Sequence, residues 1–199
     1  NLQFIEHNVE EIIEEDSIVI RFNIYEGEKV LVERINILGN SITNEAVIRA
    51  EMEIDEGDPF TNLSLEKSIA NIKSRNIFKK VEYKVIDGSA KNLKKIDIVV
   101  DEKPTGEISA GAGIGTNGGS FAFTVKENNY LGEGKNVGFD IQVDQDSLKG
   151  TLNYSDPNYD FLGNALNYYL TSESNDQPDR GYENTIMGAG ISTSFEQYN

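Results

Sequence analysis

Asn136 to Gln145 is written in strict alternation. Val137, Phe139, Ile141 and Val143 fall on one side of an extended chain, and Gly138, Asp140, Gln142 and Asp144 fall on the other. A period of two excludes a helix, whose apolar positions recur at three and four. The pattern returns on both sides of this stretch. Phe121, Phe123 and Val125 oppose Ala122, Thr124 and Lys126; Leu152 and Tyr154 alternate with Thr151, Asn153 and Ser155; Leu166, Tyr168 and Leu170 alternate with Asn167 and Thr171. Turn residues between these runs predict about six strands, near 105–115, 119–129, 135–145, 148–156, 165–174 and 184–196.

Two architectures produce such alternation: a soluble sandwich with its apolar face in a core, and a transmembrane barrel with that face in lipid. Strand length favours the barrel. Soluble strands cluster at about five or six residues, whereas a tilted membrane strand needs about 9–11. The connections read the same way, Asp146-Ser147 being tight and Ser174 to Asp179 longer and polar, like the turns and loops of outer-membrane barrels. Tyr130, Tyr154, Tyr159, Tyr168, Tyr169 and Tyr182 lie mostly near strand ends or in connections, where interfacial girdles form. On this reading Phe121, Phe123, Val125, Val137, Phe139, Ile141 and Val143 face lipid.

The first half is of another kind. Glu10, Glu11, Glu14, Glu15 and Asp16 surround Ile12 and Ile13, and read as a solvated acidic loop or helix face. Ser17 to Tyr25 alternates strictly and is a strand, the last of a domain that begins earlier. Glu26-Gly27-Glu28 connects it to a second strand, Val30 to Leu38, whose parity slips near Arg34 and predicts a bulge. Gly39-Asn40 supplies a turn. Thr43 then suits an N-cap, with Ile42 and Val47 spaced as a hydrophobic staple, for a helix to about Met52. Asp55 to Pro59 breaks the chain. Asn62 or Ser64 can cap a second helix carrying the stripe Leu65, Ile69 and Ile72, and Asn76 ends it in a left-handed conformation. Strands follow at Phe78 to Ile86 and Leu93 to Asp101. Glu102-Lys103-Pro104-Thr105-Gly106 is the hinge between the halves, with no room for a helix.

Composition removes several functions. Acidic residues outnumber basic ones 34 to 18, and a net charge of −16 argues against nucleic acid. Without cysteine there is neither a disulfide framework nor a thiolate metal site. No apolar run approaches the ~20 residues of a membrane-spanning helix. The opening Asn1-Leu2-Gln3, with no initiator Met or leader pattern, suggests a fragment or processed product. Gly113 to Gly118 matches GxGxxG, but a strand pattern follows where a dinucleotide site needs a helix. Gly132-Glu133-Gly134-Lys135 lacks Walker spacing. Leu148 occupies a ligand position of the calcium-like Asp144, Asp146 and Gly150. His7 is the sole histidine, so a His-based triad is not expected. We expect no enzyme, no cofactor and no metal.

Residues 29–102 resemble a POTRA (polypeptide-transport-associated) domain. The resemblance rests on Gly39-Asn40, Gly57-Asp58-Pro59-Phe60, and Asn76-Ile77-Phe78 leading into Val81-Glu82-Tyr83, with Asn76 where the family usually has Gly. It implies an α+β domain of order βααββ, a mixed three-stranded sheet under two helices. A POTRA domain followed at once by a barrel resembles the Omp85 superfamily, and within it the outer-membrane assembly branch. Glu102 to Gly106, the Gly-rich strand after it, Asn129-Tyr130-Leu131-Gly132-Glu133-Gly134-Lys135 and Ser155-Asp156-Pro157-Asn158-Tyr159 carry this. Residues 1–28 would then end a preceding POTRA domain. Residues 103–199 would open an antiparallel transmembrane β-barrel of about sixteen strands, cut after about the sixth. The family's Arg-Gly-aromatic loop would lie beyond Asn199; Arg180-Gly181-Tyr182 sits in the wrong place for it.

The resemblance implies a factor in the bacterial outer membrane, its POTRA domain in the periplasm, that folds and inserts β-barrel clients without covalent chemistry. The partners would be unfolded barrel clients, accessory lipoproteins and the lipid bilayer, not nucleic acid. Lys80, Val81, Glu82, Tyr83, Lys84 and Val85 would form an edge strand for clients. Ile108, Ser109, Ala110, Gly111, Ala112, Gly113, Ile114 and Gly115 would form a weak first barrel strand, a lateral gate. Arg49 and Glu51 match a charged family pattern and would meet a partner lipoprotein. A polypeptide exporter of the same superfamily and a soluble β-rich binding module are the other readings.

Overall fold

A computed structural model of the chain describes residues 5–14, 17–27, 29–115, 118–160 and 163–195. Glu15 and Asp16 of the acidic cluster, Glu28 of the first connection, and Thr116 and Asn117 of the glycine pattern lie outside the described residues. Three separate sheets follow one another along the chain.

The first is a hairpin of β1 (Ile5–Glu14) and β2 (Ser17–Glu26), with Val9 opposite Phe22 and Ile13 opposite Ile18. The acidic stretch is therefore a strand, not a loop or helix face. Its β-branched Val9, Ile12 and Ile13 accept extended backbone once β2 offers a full ladder, and Glu10 meets Arg21 across it at 3.7 Å.

The second unit is built from β3 (Leu31–Leu38), α1 (Glu45–Arg49), α2 (Asn62–Ser74), β4 (Phe78–Asp87) and β5 (Leu93–Glu102). The sheet runs β3-β5-β4, with β3 parallel and β4 antiparallel to the central β5. A register shift between Val32 and Arg34 is the bulge that the parity slip predicted. Apolar residues of strand and helix meet in one core, in which Ile72, Ile96 and Ile98 are wholly buried. Asn76 ends α2 with φ 55, as its sequence position required.

The caps differ from expectation. Asn44 caps α1, its side chain accepting from Ala46 N at 3.0 Å, and Thr61 caps α2 by accepting from Ser64 N at 3.1 Å. Thr43 is unavailable because its N–H and hydroxyl are committed to Glu102 and Asn129. Helix α1 stops at Arg49, short of Met52, and Ile42 is 72% exposed instead of stapled to Val47.

The third unit is one antiparallel sheet in sequential order: β6 (Gly106–Gly115), β7 (Gly118–Tyr130), β8 (Lys135–Asp144), β9 (Ser147–Asp156), β10 (Ala165–Gln177) and β11 (Tyr182–Ser194). It is six-stranded and unclosed, with β6 and β11 at its edges. The polar loop expected from Ser174 to Asp179 is mostly strand. Asn175 pairs with Asn184 and Gln177 with Tyr182 before a tight 3-10 turn, Pro178–Arg180. Polar side chains do not end a strand whose backbone still has a partner. No described helix is long and apolar enough to cross a membrane, which says nothing of crossing by strands.

Candidate functional site

The register of the third sheet sorts its side chains into two faces. One row crosses all six strands as Ile108, Val125, Phe139, Leu152, Leu170 and Ala189. The next position along gives Ser109, Thr124, Asp140, Thr151, Thr171 and Gly188. Phe121 with Val143, Phe123 with Ile141, and Val137 share the apolar face. Among the described residues none seals it: Phe139 is 41% exposed, and every member of the buried core belongs to the second unit. A sandwich would have sealed this face beneath a second sheet. On the opposite face Asp140 accepts from the Thr124 hydroxyl at 2.8 Å and from Asn153 Nδ2 at 3.3 Å.

Tyrosines gather at one end of the apolar face. Tyr130 pairs with Lys135, two residues before Val137, and the Tyr154 and Tyr168 rings lie 6.0 Å apart. Tyr169 departs from the expected girdle. It points to the polar face, its ring over Gly190, where an added Cβ would lie 2.2 Å from it.

β4 and β6 are, with β3, β11 and the two strands of the hairpin, paired on one side only among the described residues. In β4, Val81 is buried in the core, Tyr83 is 43% exposed, and Lys80, Glu82 and Lys84 lie on the open face of the sheet, with Lys80 on Glu82 at 2.7 Å. In β6 every residue is exposed. Its Gly111 and Gly113 share the polar face with Ser109, and Ala110 and Ala112 sit opposite Phe123 and Phe121.

Between these edges lies a joint that sequence reading missed. The β7–β8 turn docks on the loop before α1: Asn129 Nδ2 donates to Thr43 Oγ1 at 2.9 Å, and Asn44 N donates to Gly132 O at 2.8 Å. Asn129 Oδ1 in turn holds Gly134 N at 2.7 Å, and the Arg75 guanidinium donates to Gly134 O. Asn158 Nδ2, from the β9–β10 connection, reaches Ala50 O at 3.2 Å. The stretches 129–135 and 155–159, which carried the resemblance, are thus the contacts that seat one domain on the other. The signal available was an Asn-rich turn with two glycines; its partner could not be read locally.

Glu102 anchors the loop from below. Its carboxylate accepts from Ser41 N at 2.9 Å, Ile42 N at 2.9 Å and Thr43 N at 2.6 Å. Partial burial pushes its pKa up, but the Thr43 side chain and the three N–H groups outweigh that and hold it below the ordinary glutamate range. A carboxylate depressed in the folded state stabilises above its unfolded value, and that contribution disappears as pH falls through the folded value. Glu102→Gln is accordingly expected to cost about 2 kcal/mol at neutral pH. The difference from the parent should shrink below the ordinary glutamate range, read by urea unfolding at several pH values.

Arg49 and Glu51 are both engaged within the domain. Arg49 holds Glu45 at 2.7 Å and donates to Ile35 O at 3.0 Å. Glu51 is turned inward onto Arg75 at 3.4 Å; burial raises its pKa against the opposing pull of that guanidinium.

The family model described as POTRA, surface antigen variable number repeat, matches residues 30–103. Outer membrane protein assembly factor BamA of Neisseria meningitidis serogroup B is 27% identical over 176 residues, 84% of this chain and 22% of that protein. BamA of Neorickettsia risticii is 31% identical over 126 residues, 62% of this chain and 17% of that one. The solved BamA of Haemophilus ducreyi lacking POTRA domains 1–3 matches 95% of this chain and 37% of its own, with a TM-score of 0.75 at 22% identity. Residues 30–103 thus match the POTRA family, and the chain is similar to BamA proteins over most of its length. It spans about a fifth of the length of these curated relatives. CdiB of Acinetobacter baumannii has the same fold over 87% of this chain and 35% of its own, at a TM-score of 0.59 and 11% identity. The second unit is the POTRA domain, and the open sheet matches part of the barrel of the solved BamA structure.

Proposed function

We propose that this chain supplies the membrane-proximal POTRA domain and opening barrel strands of a factor that folds and inserts β-barrel proteins into the bacterial outer membrane. The POTRA domain lies on the periplasmic side. The observation that supports this reading is the exposed β4 edge of the POTRA sheet, followed, across a docked joint, by the glycine-rich β6. The β4 edge leaves backbone N–H and C=O groups available to an extended client segment, and β6 would do so when its seam with the closing barrel strand parts. A client could pair first with the Lys80–Val85 edge and then with Ile108–Gly115. There each backbone group that leaves water gains a partner, the condition for entering lipid. No covalent step is required.

In this reading residues 1–28 end a preceding POTRA domain, residues 29–102 form the POTRA domain, and residues 103–199 begin the barrel. Lipid covers Phe121, Phe123, Val125, Val137, Phe139, Ile141 and Val143. An accessory lipoprotein meets Arg49, whose side chain is part-exposed; Glu51 then acts indirectly, by holding Arg75.

Photo-crosslinking on the full-length parent protein in liposomes tests these contacts together. Probes at Lys84 and Ser109 are expected to capture an unfolded barrel client during insertion, and a probe at Arg49 to capture a lipoprotein when the complex is present. Absence of client adducts at both edge positions overturns the pairing mechanism. Client recovered across the membrane, not within it, would instead assign the chain to an exporter.

A further inference from the structure

Two aliphatic side chains at the joint stand in solvent although the backbone around each is built to hold it there. Leu131 is 78% exposed at the tip of the β7–β8 turn with φ 55, and Gly132 follows with φ 74. Two successive left-handed residues, closed by Glu133 N onto Tyr130 O at 3.1 Å, make a type I′ turn. Its first central position favours Asn, Asp or Gly. A leucine there costs about 1–2 kcal/mol of backbone strain, yet most of its side chain gains no packing in return.

Ile42 is its counterpart on the POTRA domain. The Glu102 carboxylate fixes the N–H groups of Ser41, Ile42 and Thr43, so the loop is a rigid support for an exposed isoleucine. The Ile42 carbonyl lies so close to Gly132 that a Cβ there would be 2.1 Å away. Ile42, Leu131 and Tyr130 line one cleft, predominantly apolar, at the start of β6. The carboxylates beside it are spent internally, Glu102 on the loop and Glu127 on the Thr105 hydroxyl and Asn129 N.

We propose that Ile42 and Leu131 form a foot that enters the periplasmic leaflet of the outer membrane, a phospholipid surface, and so fixes the POTRA domain against the bilayer. Continuity argues for this occupant. The foot extends the apolar face of the sheet past the row of Val137, Tyr154 and Tyr168, in line with the Tyr130–Lys135 pair. Aliphatic side chains on a rigid turn can sit about 5–10 Å into the headgroup and acyl boundary. The proposal rests on the barrel reading of that sheet.

The test uses the full-length parent protein in a cysteine-free background, reconstituted in phosphatidylethanolamine–phosphatidylglycerol vesicles containing a lipid brominated near the head of its acyl chain. Bimane is attached to Ile42→Cys, Leu131→Cys, Phe139→Cys and Lys91→Cys in separate samples. The labels at 42 and 131 are expected to be quenched about twofold or more beyond that at 91, which sits in the β4–β5 turn. Leu131→Asn, which suits the turn, should keep the fold and weaken quenching at 42. Strong quenching at 139 with none above background at 42 and 131 overturns the foot and leaves the barrel reading intact. No quenching at 139 overturns both. Labels at 42 and 131 shielded from aqueous iodide but untouched by bromolipid would mean a protein occupant, which also overturns the proposal.

Discussion

Gly132→Ala is expected to undock the POTRA domain from the barrel while both remain folded. Gly132 has φ 74, and an added Cβ would sit 2.1 Å from the Ile42 carbonyl oxygen, a backbone atom that cannot swing aside. The left-handed conformation alone costs an alanine about 1–2 kcal/mol. Relieving the clash also requires separating Asn44 N from Gly132 O and stretching the Asn129–Thr43 bond, for a total of several kcal/mol. The POTRA core does not depend on these contacts, since Ile72, Ile96 and Ile98 are buried among its own strands and helices. Spin labels placed on Lys91 and on β9 should therefore give a narrow distance distribution in the parent and a broad one in the variant. Gly181→Ala is the control: it has φ 70 but nothing within 4 Å of its added Cβ, and it lies at the far end of the sheet. An unchanged distribution in Gly132→Ala would mean that the joint is held by something other than this turn.

The joint also marks the limit of what could be read from the chain. Strands with period two were legible because each face of a strand meets one environment. Val137 to Val143 predicted its own row, and the paired rows then fell into register across six strands. The bulge at Arg34 and the left-handed Asn76 were legible for the same reason, being local rules of backbone and parity. Caps were not. Thr43 is a good N-cap by type, but Glu102, 59 residues away, claims its N–H, and Asn129, 86 residues away, claims its hydroxyl. Glu51 suited an exposed helix end, yet Arg75 draws it inward. The acidic stretch before Ser17 was misjudged because its charges suggested solvent, while its pairing with β2 was decided by the partner strand. The misses at Thr43 and Glu51 share one cause: a distant group outbid the local preference, and distance along the chain hides such competition. The acidic stretch was missed although its partner strand is the next one.

The largest functional effect is expected at the β6 edge. Gly111 and Gly113 lie on the polar face of β6, and the absent side chains leave the strand without packing across that face. A Cβ at Gly111 would meet nothing within 4 Å, and one at Gly113 would meet only the Ser120 hydroxyl at 3.1 Å, which can rotate away. The double variant Gly111→Val, Gly113→Val therefore adds β-branched side chains with little steric conflict. Strand preference of up to about 1 kcal/mol per position would stiffen the seam and slow its opening. In the full-length protein, insertion of a barrel client into liposomes should fall about tenfold, the rate equivalent of 1.4 kcal/mol. Gly150→Val separates this from general stiffening, because Gly150 also has room for a Cβ but sits on β9, paired on both sides, and should leave the rate unchanged. Equal rates for the parent and the double variant would remove the gate. Loss of the folded barrel in the double variant, read as loss of the mobility shift of unheated samples on gels, would assign the two glycines to curvature instead. Kinetics and folding thus report on different roles for the same two residues, and only a slowed insertion through an intact barrel supports a seam that opens to admit a strand.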